Sequence, residues 1–214
     1  MVQDPVAMTF DEDGRIWVVE MRGFMPALDG TGENAAIGRI SVLEDAGGNE
    51  RRSVVFLDNL ILPRAIARVK NGVLFVASGK LSFAQDTDGD GKADQVTLVD
   101  PDYVLGGNLE HQPNGLMQAM DNWFYNANSQ SRYRFIDGHW SKQKTEFRGQ
   151  WGISQDDYGR LFYNVNDSQL RADIAPPGYM SRNPHHKAAS GLNLLVSTNQ
   201  HIFPIRMNTG VNRG

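Results

Sequence analysis

The sequence predicts an all-β fold, a β-propeller with about four blades present that form part of a six-bladed ring. Two observations predict it. A strand, turn, strand unit recurs four times along the 214 residues. Helix signals are nearly absent, and only residues 187–195 carry a weak one.

The first unit, VAMTFDEDGRIWVVEM (residues 6–21), alternates apolar residues on both sides of an Asp13-Gly14 turn and reads as a β-hairpin. RAIARVKNGVLFVAS repeats it around Asn71-Gly72, NGLMQAMDNWFYNAN around Asp121-Asn122, and WGISQDDYGRLFYNV around Tyr158-Gly159. Their spacing of roughly 40 to 60 residues is that of propeller blades. Short apolar runs between them, GRISVLED, QVTLVD and RYRFIDGHW, complete four-stranded blades. A β-sandwich also spaces short strands with Gly and Asp turns, but hairpins that repeat in sequence favour radial repetition. The closing fragment HIFPIRMNTGVNRG looks like the opening of a further hairpin. Residues 1–214 are therefore read as one partial propeller domain, completed by a further segment or a partner chain.

A net charge of −4, with lysine and arginine scattered, gives no nucleic-acid footprint. No apolar run reaches the length of a membrane span, and MVQDPVAMTF lacks the order of a signal peptide. Cysteine is absent, which removes disulfides, thiolate metal sites and cysteine nucleophiles together. Neither a G-x-S-x-G elbow nor a phosphate-binding glycine loop is present.

QDTDGDGKADQV (residues 85–96) places Asp86, Asp88 and Asp90 at alternate positions, with Gly91 next and Asp94 closing the loop. A hard cation of calcium's size takes six to eight oxygens, and alternate side chains on a tight loop can converge on one point. Gly91 allows the turn that offers the carbonyl of Lys92. Thr97 stands where an EF-hand carries its bidentate glutamate, so the reading is a short calcium loop between strands with a structural role. It resembles the calcium loops of integrin-type propellers and thrombospondin repeats.

Glu110 and His111 precede the third hairpin, on the segment leading into an innermost strand, where propellers bind ligands. Histidine there could act as a general base, oriented by the neighbouring carboxylate, or could be a satisfied structural residue. Arg22 is read as a surface arginine, and Trp17, Trp123 and Trp151 as blade packing. His185 and His186 point apart on an extended chain and are read as loop residues.

LEHQPNGLMQAMDNWFYNAN resembles the stretch that carries the catalytic histidine in quinoprotein glucose, sorbosone and aldose sugar dehydrogenases. EFRGQWGISQDDYGRLFYNVND is similar to a later blade of that family. DPVAMTFDEDGRIWVVEMRGF, DTDGDGKAD and GYMSRNPHH are similar to the planctomycete-type relatives called membrane-bound dehydrogenase domains, and the likeness covers most of the chain. The resemblance implies that His111 takes the proton of a sugar or alcohol hydroxyl while hydride passes to pyrroloquinoline quinone, with Glu110 supporting it. It implies that Arg148 pairs with a cofactor carboxylate or quinone oxygen, and that Gln112 and Asn114 hydrogen-bond at the same site. Calcium and a quinone together imply a periplasmic or extracellular location, reached by a signal outside these residues. The other reading is a non-catalytic calcium-binding propeller that binds a glycan or a protein partner.

Overall fold

The computed structural model describes residues 2–47, 50–70, 72–166, 168–180, 182–183, 185 and 190–201. They form four antiparallel four-stranded sheets, each a simple up-and-down meander. Blade 1 holds β1 (Pro5–Phe10), β2 (Ile16–Glu20), β3 (Gly38–Gly47) and β4 (Glu50–Leu60). Blade 2 holds β5 (Ala65–Val69), β6 (Gly72–Ala77), β7 (Lys80–Gln85) and β8 (Gln95–Asp100). Blade 3 holds β9 (Asn114–Gln118), β10 (Phe124–Ala127), β11 (Ser131–Ile136) and β12 (His139–Lys144). Blade 4 holds β13 (Trp151–Gln155), β14 (Leu161–Val165), β15 (Ser168–Ala172) and β16 (Leu194–Leu195). This is the blade plan of a β-propeller, with the four hairpins read from the sequence as the two inner strands of each blade.

The chain divides into two compact units, Met1–Leu109 and Glu110–Gly214, each carrying two blades. In the first, β1 runs beside β5, and Trp17, Val19, Ile40, Val42, Phe56, Ile66, Val73 and Phe75 form one apolar core between the sheets. In the second, β9 runs beside β13, and Trp123, Tyr125, Leu161 and Tyr163 form the equivalent core. Second strands are covered on both faces, which explains their unbroken apolar runs: GVLFVA of β6 is buried through Val76. Fourth strands are edges, and HWSKQK of β12 is almost wholly exposed.

The hairpin turns of blades 1 and 4 share one clamp. Asp11 Oδ1 accepts the N–H groups of Asp13 and Arg15, and its Oδ2 accepts Arg15 Nε at 2.7 Å. Asp156 does the same for Tyr158, Arg160 and the Arg160 Nε at 2.6 Å. An aspartate that binds the backbone two and four residues on holds a tight turn, and Gly14 and Gly159 supply its left-handed residue at φ of 77° and 79°.

The weak helix signal over residues 187–195 gives no helix where the structure is described. Residues 187–189 lie outside the described residues, and Leu194 and Leu195 pair with Ala172 and Arg171 as β16. Strand pairing against β15 overrides a marginal local propensity. Asn71 of the second hairpin turn, His186 and all of the closing fragment after His201 also lie outside the described residues. No helix among the described residues is long and apolar enough to cross a membrane.

Candidate functional site

The acidic loop joins β7 to β8 in blade 2, at the hairpin-turn end of that blade. Asp86 accepts the N–H groups of Gly89 and Gly91, Asp88 that of Asp90, and Asp90 that of Lys92. Gly89 and Gly91 take φ of 82° and 85°, which lets the chain fold back on its own carboxylates. Carboxylate oxygens of Asp86, Asp88 and Asp94 lie within 4.8 Å of one another, the only such cluster among the described residues. Asp90 is not part of this trio. The Thr87 hydroxyl and N–H hold Asp94 below the usual carboxylate range, so it carries its charge at neutral pH. Three carboxylates on one short loop are a donor set that fits a hard divalent cation.

His111 ends the 3-10 turn Leu109–His111, just before β9, and its side chain is exposed. Its ring lies 5.7 Å from that of Trp151, at an interplanar angle of 52°. Trp151 is therefore not blade packing: 38% of it is exposed, and its Nε1 donates to Asn166 Oδ1 at 2.9 Å. Trp17 and Trp123 are buried, as expected. Glu110, beside His111, is exposed.

Asn114 fastens this end of blade 3 to blade 4. Its Nδ2 donates to the carbonyls of Gln112 and Gln150, and its Oδ1 accepts the N–H of Gly152 at 3.0 Å. Directly after it the two inner strands almost touch: a Cβ on Gly115 would stand 2.9 Å from the Cα of Gly152. Gln112 is half-buried, and its side-chain amide has no hydrogen bond among the described residues.

Beside His111 and Trp151 opens a cleft of about 540 Å³ within the second unit. Asn128, Gln150, Asn166 and Asn193 line it with amides, Phe147 adds an aromatic face, and Arg171 adds a charge. Asn128 Nδ2 donates to the His111 carbonyl, and Gln150 Oε1 accepts the N–H of Asn166. The cleft is thus tied by a hydrogen bond to the backbone of His111.

Arg148 does not join them. It is 1% exposed, with Nε on Asp173 at 2.7 Å, Nη1 on the Thr145 hydroxyl and the Glu146 carbonyl, and Nη2 on the Glu146 carboxylate. Asp173 in turn accepts the Tyr163 hydroxyl and the N–H of Asn193. A guanidinium so enclosed braces the interior of blade 4.

Arg22, read as a surface arginine, belongs to a second buried network. Glu20, wholly buried at the end of β2, accepts Arg22 Nη2 at 2.6 Å, Arg39 Nε at 3.0 Å, the Ser41 hydroxyl and the N–H of Gln3. A charge inside a core needs partners, and three elements converge to supply them. His185 is exposed and belongs to no metal cluster among the described residues. The cleft residues escaped sequence reading because they come one or two at a time from five separate segments; the sole signal was the density of Asn and Gln after the third and fourth hairpins.

No curated protein matches the chain in sequence. Among solved structures it is similar in fold to a candidate 6-phosphogluconolactonase from Bacteroides uniformis, at 15% identity and a TM-score of 0.54, covering 80% of this chain and 53% of that one. Virginiamycin B lyase from Staphylococcus aureus matches at 14% identity and a TM-score of 0.48, covering 80% of this chain and 52% of the other. The calcium-binding protein regucalcin from Agrobacterium tumefaciens matches at 14% and 0.44, covering 85% and 58%. The chain therefore spans about half the length of the structures it matches, and the likeness to the lactonase structure, at 15% identity, shows the fold alone. Residues 1–213 match a single family, and the chain belongs to it: the domain of unknown function DUF7133.

Proposed function

We propose that this chain is part of a propeller of the quinoprotein sugar dehydrogenase type, binding a sugar or related alcohol at the cleft beside His111. The observation that carries the proposal is the exposed imidazole of His111, set 5.7 Å from the Trp151 ring, on a backbone whose carbonyl accepts Asn128 from the wall of an amide-lined cleft. Sugars are recognised by amide donors and acceptors around an aromatic face, and this cleft has both. His111 would accept the proton of a hydroxyl held there.

Pyrroloquinoline quinone, when bound in such a propeller, would supply the hydride acceptor. The residues matched to it by resemblance fit it poorly in this chain. Arg148 is enclosed with four of its five N–H groups in use, and the Asn114 amide is committed to three backbone partners. Only Gln112 keeps its amide available. The same facts favour a second reading, in which the cleft binds a glycan without oxidising it. In both readings the acidic loop holds calcium as a staple of blade 2, and calcium use suits a periplasmic or extracellular site of action.

Titration of the protein with aldoses, in the presence of calcium and with or without the quinone, separates the readings. A dehydrogenase gives a change in quinone absorbance on sugar addition that His111→Ala removes while sugar binding persists. Binding with no absorbance change selects the glycan-binding propeller. Absence of sugar binding under both conditions removes the proposal.

A further inference from the structure

Arg171 stands out among the groups lining the cleft. It is the one charged side chain among the described lining residues, the others being amides and apolar groups. Its Nε donates to the Ser168 hydroxyl at 2.6 Å and its Nη1 to the Asn193 carbonyl at 3.0 Å. It has no carboxylate partner among the described residues, in contrast to Arg15, Arg22, Arg39, Arg148 and Arg160, each of which sits on an aspartate or glutamate. Among the described residues two neutral acceptors fix the guanidinium without neutralising it, which leaves a positioned cation on the wall of the cleft. Close to it, Gln150 and Asn166 use their oxygens on Asn166 N–H and Trp151 Nε1, so their NH₂ groups remain as donors.

We propose that the cleft takes a sugar bearing a carboxylate, a uronate or an aldonate, with Arg171 pairing with the carboxylate and the amides with the hydroxyls. The inference rests on the sugar-binding reading above and sharpens its substrate class. One cation amid neutral amides balances the single charge of a carboxylate. A phosphorylated sugar, carrying nearly two charges, would leave one uncompensated, and an amine would meet a like charge. The planar fork of arginine matches a carboxylate, and a charge-assisted pair is roughly twice as strong as a neutral hydrogen bond.

The test is calorimetric titration of the 214-residue chain with glucuronate, gluconate, glucose and glucose 6-phosphate. Glucuronate or gluconate is expected to bind at least about tenfold more tightly than glucose, and more tightly than glucose 6-phosphate. Arg171→Gln should abolish the preference for the sugar acids over glucose, and Arg171→Lys should keep part of it. In the unaltered protein, added salt should weaken the sugar acids and spare glucose, a readout that does not depend on the variants folding. Equal affinity for glucose and sugar acids, or a preference that survives Arg171→Gln, overturns the inference and leaves sugar binding standing. Tightest binding of the phosphate overturns it in favour of phosphorylated sugars. Binding of none of the four removes both readings.

Discussion

Arg148 Nε donates to Asp173 Oδ2 at 2.7 Å, and both side chains are 1% exposed. Removing one partner of such a pair leaves the other charged and unpaired in the interior, which costs about 3–5 kcal/mol. Arg148→Ala should therefore lower the free energy of unfolding in urea by about that amount. Arg148→Lys should recover little of it, because an ammonium cannot reach Asp173, Thr145 and Glu146 in one plane. Unchanged stability in Arg148→Ala, with altered ligand response, would return this arginine to a direct role at the cofactor.

Glu20 gives the protein an acid-sensitive element. Burial raises its pKa, but hydrogen bonds from Ser41, the Gln3 N–H, Arg39 and Arg22 outweigh that and bring it from 4.5 down to about 2. Because the folded value lies below the unfolded one, the network contributes its full stabilisation above about pH 4.5 and loses it as the pH falls through about 2. A shift of that size corresponds to about 3 kcal/mol. Thermal melts from neutral pH into this range should show a steep decline for the native sequence. Glu20→Gln should start lower and decline less; parallel curves would show that other carboxylates govern the acid limb.

For the acidic loop, calcium should raise the unfolding midpoint and a chelator should reverse the rise. At a hundredfold excess over the dissociation constant the stabilisation is about 2.7 kcal/mol. Asp88→Asn should abolish the calcium-dependent part, since Asp88 belongs to the converging trio, whereas Asp90→Asn should retain most of it. A midpoint indifferent to calcium would make the loop a self-satisfied acidic turn, held by Asp94 on Thr87 and Asp86 on Gly91.

Much of this fold is written locally. Hairpin turns announce themselves through Asp, Asn and Gly, because left-handed backbone and side-chain clamps demand those residues at fixed offsets. The acidic trio is legible for the same reason, as one short segment carries all its parts. β7 was harder to read: only Ser78 and Gly79 separate it from β6, and its residues alternate weakly. The fate of Arg148 was not legible at all, because its partner Asp173 lies 25 positions away and no local pattern links them. Trp151 and Trp123 look alike in sequence; Trp151, the first residue of β13, stays 38% exposed beside the His111 ring, whereas Trp123 is a buried core residue.

The single amide of Asn114 acts as a coupling between neighbouring blades. By gripping the backbone before β9 and both sides of Trp151 at once, it ties the segment bearing His111 to the segment bearing the tryptophan. A ligand that shifts the backbone of one segment therefore strains the hydrogen bonds that hold the other.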